Sequence, residues 1–438
     1  MAEKESWSSK ITTVFAFMAA TIGLGSLWRF PYKVGVYGGA AFLLIYFLAY
    51  ILIGIPAYNG ETLLGKRTRK SPAGAFFSAA KEVKASIKWR YLGDATVILG
   101  TLLNTQYLVV VGWTIIYFGL ALTGRIFITN HDVLESIWHT VFPGYLSVLG
   151  LAIATIYCTF FIIRGVSKGI EKVNQVLMPL LFIILVIGVI RAVTLPNAFE
   201  GIRFFFMPRA EYLQDPSIWL QALGQVYFTT ALGIGFIITY GSYMSRDQNV
   251  EYNTHMVAIG DNLASILAGL AIFPAVFAFG LRPDSGPRLV FIILPQVLAR
   301  MPLGYIFGVL FFLGFAIAAL ECTKAAFEVA TAYLMDEYGI ERAKAAIIVG
   351  VLQFLIGIAS AVSVEIWYLF DWLWTIIPPL IGLFTSIFVG WVWRIERFAS
   401  EEKIRRIWII LLKYIVPIGI LVVFVGYLTQ FIQEVILA

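Results

Sequence analysis

Charge is what this sequence has least of. Asp, Glu, Lys and Arg make up 13% of 438 residues, against 60% hydrophobic residues and a mean hydropathy of +0.85. Soluble domains carry roughly 25% charged residues, so a soluble enzyme is excluded. Cysteine is almost absent: Cys158 and Cys322 both fall in apolar runs, which excludes a disulfide framework. The three histidines, His131, His139 and His255, share no metal-ligand spacing. The first apolar run lacks a small-residue cleavage site, so no cleavable signal peptide is expected. The net charge of +6 is modest. Its basic residues cluster in loops between apolar runs, where they act as topology signals; no nucleic-acid partner is expected.

Long hydrophobic runs are what the chain does have. A spanning helix needs about 20 apolar residues. Eleven such segments are expected near 11–36, 39–64, 91–123, 145–163, 171–193, 218–243, 254–281, 303–335, 343–361, 367–393 and 407–435. Loops on one side hold Lys66, Arg67, Arg69, Lys70, Lys81, Lys84, Lys88 and Arg90, then Arg394, Arg397, Lys403, Arg405 and Arg406. The opposite side holds only Arg125, Arg191, Arg203, Arg209, Arg282, Arg288 and Arg300. This bias predicts a cytoplasmic N-terminus, and an odd number of spans then puts the C-terminus outside. The outer segments 196–217 and 284–302, rich in aromatics and proline, are expected to form structured lids, because long ordered loops are often functional.

Two of the apolar runs are interrupted. The first contains Gly23, Gly25, Ser26, Arg29 and Pro31; the sixth contains Thr229, Thr230, Gly233 and Gly235. Non-helical backbone inside a membrane survives only where protein or a water-filled cavity surrounds it. Breaks at corresponding positions of two halves point to a transporter's binding site.

The motifs are Gly23-Leu24-Gly25 with Trp28-Arg29-Phe30-Pro31, Gly38-Gly39-Ala40-Ala41-Phe42, and Gly224-Gln225-Val226-Tyr227-Phe228-Thr229. Ile238-Thr239-Tyr240-Gly241-Ser242-Tyr243, Gly286-Pro287 and Gly390-Trp391 complete the set. In these the chain resembles the neurotransmitter:sodium symporters, in the eleven-span prokaryotic branch related to the bacterial leucine transporter. The motifs run over nearly the whole chain. The resemblance implies an all-α membrane protein forming a single domain over 1–438. It implies inverted five-helix repeats over 7–193 and 218–395, with broken helices 1 and 6, and an extra helix at 407–435. It also implies uphill amino-acid uptake by alternating access in a prokaryotic plasma (inner) membrane, with the bilayer as the other partner; oligomeric state stays open.

Substrate-site positions follow from the same resemblance. Leu24 and Gly25 match amide donors to the substrate carboxylate, completed by the Tyr107 hydroxyl, and a helix start supplies free N–H groups there. The Thr21 and Phe228 carbonyls would receive the ammonium. Leu103, Val110, Ala231, Ile234 and Ala326 match the side-chain pocket. All are apolar, so a hydrophobic amino acid, large or aromatic, is the expected substrate; burying such a side chain contributes roughly 1.5–3 kcal/mol. Arg29 and Asp371 match the outer gate, with Phe228 as its lid and Gln225 beside Arg29. Lys4, Trp7, Ser242, Tyr243 and Asp336 match an inner latch. Lysine stands at position 4 where the family usually has arginine, which loses a bidentate contact. Gly169 and Pro179 match a helix-unwinding motif of some relatives.

For ions, Thr21 (carbonyl), Ser26, Thr229 and Asp261 match the family's first sodium site. Ser26 and Asp261 stand where asparagine is usual. The Asp261 carboxylate suits a hard cation. It also supplies the negative charge that chloride brings in other relatives, whose chloride site matches Tyr46, Gln225, Thr229 and Ser265, so chloride is expected not to be required. The second sodium site matches the carbonyls of Ala19, Ile22 and Ala318 with Glu321 and Cys322, where the family has Thr and Ser hydroxyls. Glu321 has three readings: a sodium ligand, a proton carrier or lysine-paired substitute for the ion, or a structural partner of Lys324. The functional expectation is sodium-coupled uptake. A proton-coupled amino-acid or amine transporter is the first alternative, and a receptor-like protein that binds without transport is the second. No selectivity-filter pattern supports a channel. No nucleophile–base pair or metal cluster supports an enzyme.

Overall fold

The structure is a computed structural model describing residues 5–281 and 288–433. Lys4 and Gly286-Pro287, singled out above, lie outside the described residues. Among the described residues the chain is helical throughout, with no strand. The first apolar run is a pair, α1 (Lys10–Thr21) and α2 (Gly25–Val36), bent by 56° at its break. It is followed by α3 (Ala40–Thr68), α4 (Ile87–Leu122), α5 (Tyr145–Ile163) and α6 (Val166–Val193). The sixth apolar run is also split, into α7 (Pro216–Thr230) and α8 (Phe236–Gly241). Then come α9 (Val250–Ala278), α10 (Leu289–Arg300), α11 (Gly304–Tyr338), α12 (Arg342–Val362), α13 (Val364–Val392) and α14 (Arg406–Phe431).

Nine described helices are long and apolar enough to cross a membrane, ten with the bent α1–α2 pair. The α7 and α8 pieces, 15 and 6 residues, are each too short to span alone. The expected breaks at Gly23 and Gly233 thus appear as real interruptions.

Local sequence explains where the central helices start and stop. Ser9 and Thr12 form a reciprocal capping box at the start of α1: Thr12 N–H donates to Ser9 Oγ at 3.2 Å and Ser9 N–H to Thr12 Oγ1 at 3.1 Å. The N-cap Asp215, followed by Pro216 in the first turn, opens α7, and the N-cap Asn249 opens α9. At the second break Ala231, Gly233 and Gly235 take φ of 54°, 77° and 85°. A Cβ on Gly233 would stand 2.2 Å from the Pro378 carbonyl oxygen, so only glycine fits against α13 there.

Burial grades from centre to edge. The apolar window of α3 is 72% buried, those of α6 and α14 only 28% and 33%, so the latter two lie on the rim. Their outward faces carry Val176, Ile183, Ile190, Ile418 and Val422, which suits contact with lipid. On one end, α10 forms part of the expected lid. Its Phe291 packs among Trp28, Trp113, Tyr117, Trp138 and Phe315. The segment 196–217 likewise carries short helices, Ala198–Phe206 and Ala210–Leu213.

Candidate binding site at the two helix breaks

Both breaks open onto one small cavity, lined by Thr21, Gly25, Asn104, Tyr107, Phe228, Thr229, Ala231, Ile234, Phe236, Cys322 and Trp374. At the first break the Leu24 amide donates to the Tyr107 hydroxyl at 2.9 Å. A Cβ on Gly23 would lie 2.6 Å from that hydroxyl and 2.7 Å from Cys322 Cβ, so α4 and α11 approach the backbone here as closely as glycine allows. At the second break, Glu61 of α3 accepts the Gly233 amide at 3.0 Å. A fully buried carboxylate thereby holds the unwound turn in place.

Of the expected side-chain pocket, Ala231 and Ile234 line the cavity, whereas Leu103, Val110 and Ala326 are buried beside it without lining it. Leu103 instead offers its carbonyl to Trp374 Nε1 at 3.1 Å. Asn104, Phe236 and Trp374 line the cavity without having been read from the sequence, and Cys322, read as a second-ion position, lines it as well. Trp374 reaches it from α13, its ring 5.5 Å from Phe228 and 6.1 Å from Tyr107. Such a long separation along the chain leaves no local signal.

Next to the cavity, Asp261 of α9 is fully buried. Ser26 Oγ donates to its Oδ1 at 2.6 Å and the Tyr50 hydroxyl to its Oδ2 at 3.0 Å. Among the described residues no Lys, Arg or His forms an ion pair with it. Gln225 Nε2 donates both to the Gly25 carbonyl at 2.9 Å and to Thr229 Oγ1 at 3.0 Å. Gln225 is therefore committed to the first break. A buried carboxylate among hydroxyls and carbonyls is a hard-oxygen set that suits a monovalent cation. The buried hydroxyls of Tyr46, Thr229 and Ser265 lie close together here.

The second set of ion residues is arranged differently. Glu321 pairs with Lys324 at 2.5 Å, while Cys322 Sγ donates to the Ala20 carbonyl at 3.1 Å. Ala19, Ile22 and Ala318 are buried alongside.

Both ends of the cavity are covered. On one side the Arg29 guanidinium lies over the Phe228 ring at 4.1 Å. Asp371 is near enough to act on Arg29 through space, yet no ion pair joins them among the described residues. On the other side Trp7 donates through Nε1 to the Tyr240 carbonyl at 3.1 Å and through its amide to the Tyr243 carbonyl at 3.0 Å. Ser242 Oγ donates to the Thr239 carbonyl at 2.6 Å, and Asp336 accepts the Ser71 amide at 2.7 Å. A further cluster, unread in the sequence, reinforces this end. The Tyr243 hydroxyl donates to buried Glu328, which pairs with Arg342 at 2.8 Å. Arg69 donates to the Met244 carbonyl and to Ser6, and Ser8 donates to Glu171. Gly169 sits in a wound turn, Val166–Glu171, that leads directly into the helix holding Pro179.

Two interrupted helices meeting at one buried cavity are the arrangement of a secondary membrane transporter. The chain belongs to the sodium:neurotransmitter symporter family, whose family model matches residues 4–140 and 143–436. It is a transporter and not an enzyme. It is 32% identical to an uncharacterized sodium-dependent transporter, YhdH, of Bacillus subtilis, with 96% of this chain and 97% of that one aligned. A sodium-dependent transporter of Haemophilus influenzae is 33% identical over 97% and 98%. Among solved structures, the crystal structure of MhsT in complex with L-phenylalanine superposes with a TM-score of 0.88 at 35% identity, over 97% of this chain and all of that one.

Proposed function

We propose that the protein takes up a hydrophobic amino acid of large or aromatic type, driven by sodium, by alternating access at the two helix breaks. The observation that carries this reading is the cavity at those breaks. It has a backbone amide and the Tyr107 hydroxyl at one end, and Ala231, Ile234, Phe228, Phe236 and Trp374 around the rest. An amino-acid carboxylate would displace the Leu24–Tyr107 hydrogen bond and take both donors, helped by the positive end of α2. The ammonium would meet carbonyls at the breaks, from Thr21 and Phe228. The apolar remainder accepts a hydrophobic side chain and discriminates only weakly within that class. The L-phenylalanine in complex with MhsT agrees in kind.

Sodium is co-transported cargo here. Asp261, Ser26, Thr229 and the Thr21 carbonyl would hold it, with Asp261 giving the charge that removes the need for chloride. Arg29 with Asp371 and Phe228 would form the outer gate, and Trp7, Tyr243, Asp336 and Lys4 the inner latch. The proposed arrangement in the membrane is eleven spans in two inverted repeats plus a final helix, N-terminus cytoplasmic and C-terminus outside.

The test is saturation binding of labelled hydrophobic amino acids to purified protein in sodium or potassium. Binding that needs sodium and follows side-chain size supports the reading. Sodium-independent binding, or a preference for small polar amino acids, contradicts it.

A further inference from the structure

Glu321 and Lys324 lie one turn apart on α11, both side chains fully shielded from solvent. The Lys324 ammonium is 2.5 Å from Glu321 Oε2. Around them the Tyr157 hydroxyl of α5 donates to Glu321 Oε1 at 2.7 Å, and Lys324 donates to Asn174 Oδ1 of α6 at 3.5 Å. The ammonium also faces the Phe161 and Tyr157 rings at 5.2 and 5.9 Å. The cluster is electrically neutral, and its polar contacts run to α5 and α6. Cys322, the next residue, turns instead to the first break, where its thiol is hydrogen-bonded to the Ala20 carbonyl.

Glu321 and Cys322 stand at the positions where the family resemblance calls for hydroxyl ligands to a second sodium. They do not fit that ion. Sodium is a hard cation that takes oxygen ligands, and a thiol is soft. The one carboxylate present is already neutralised, and taking it from its ammonium would leave a buried charge unpaired.

We propose that the Lys324 ammonium, fixed by Glu321, permanently takes the place of a second co-transported cation, so that one sodium ion accompanies each substrate molecule. The inference rests on the sodium-coupled reading above. An amino-acid zwitterion carries no net charge, so each cycle moves one positive charge inward. The pair also ties α11 to α5 and α6 through Tyr157 and Asn174, contacts that need no sodium ion.

The test measures ion stoichiometry in purified, reconstituted protein. Labelled sodium and labelled phenylalanine are counted in the same vesicles, and the sodium dependence of substrate binding is fitted for its Hill slope. A flux ratio and a slope of about one support the proposal; a ratio of about two overturns it. Uptake driven by a proton gradient in the absence of sodium overturns the coupling reading itself, and the inference with it. The variant Lys324→Met leaves the Glu321 carboxylate without its cation, and its Hill slope is expected to rise toward two. A folded Lys324→Met protein whose slope stays at one assigns the pair a purely structural role and overturns the proposal. Should that variant not fold, the triple change Glu321→Thr, Cys322→Ser and Lys324→Met restores hydroxyls without a buried charge. It is expected to bind two sodium ions, and a slope of one in that protein overturns the proposal.

Discussion

Tyr107 and Asp261 carry the two most specific residue-level expectations. The Tyr107 hydroxyl sits on the Leu24 amide, in the place where a substrate carboxylate would take it as a donor. A hydrogen bond to a charged group is worth about 1.5–3 kcal/mol. Tyr107→Phe should therefore weaken amino-acid binding by roughly ten-fold or more with folding retained; unchanged affinity in a binding assay would remove Tyr107 from carboxylate recognition. Asp261 is fully buried and receives two hydroxyl donors. Asp261→Asn should abolish transport in chloride-free buffer, and chloride should partly restore it, using the buried hydroxyls of Tyr46 and Ser265. Normal transport by that variant without chloride would end the charge-replacement idea. At this scale motif spacing led to Tyr107, Ala231 and Ile234, which line the cavity; their part in binding substrate is the proposal. Leu103, Val110 and Ala326 sit beside the cavity and not in its wall, because a small rotation of a helix about its axis decides which neighbour faces inward. No motif fixes that angle.

At the scale of elements, the breaks were the most legible feature, since glycine, serine and proline gathered inside an apolar run disfavour a continuous helix. What holds the breaks was not legible. Glu61 is a lone carboxylate in α3 by sequence, and only the fold brings it to the Gly233 amide. The same is true of Glu328, on which Arg342 and Tyr243 converge from α12 and from the turn just after α8. Removing one partner of a buried pair costs about 3–5 kcal/mol. Arg342→Ala should accordingly lower the melting temperature and expose the inner end to a thiol reagent at a cysteine placed near Trp7; an unchanged melting temperature would assign the pair no stabilising part. Close approach makes a separate expectation at Gly23, where a methyl group would stand 2.6 Å from the Tyr107 hydroxyl. Gly23→Ala should fold yet lose substrate binding, and a variant that binds normally would show that the first break tolerates separation from α4.

Taken as a whole molecule, the chain is closed at both ends around its cavity. Arg29 lies on Phe228 on one side, and Trp7 is bonded to Tyr240 and Tyr243 on the other. The proposed alternating access requires each of these closures to open while the other stays shut. The membrane character was evident from composition alone. The proposed class of cargo could be read only once the resemblance had aligned scattered residues, since an apolar cavity wall looks in sequence like any packed core. Sodium-driven uptake is tested most directly with purified protein in liposomes, using labelled phenylalanine and related amino acids and imposing sodium and proton gradients separately. Accumulation above the external concentration is expected under an inward sodium gradient at matched pH, and it should be lost when choline replaces sodium. Accumulation under a proton gradient without sodium, or saturable binding with no accumulation under either gradient, would contradict sodium-coupled transport.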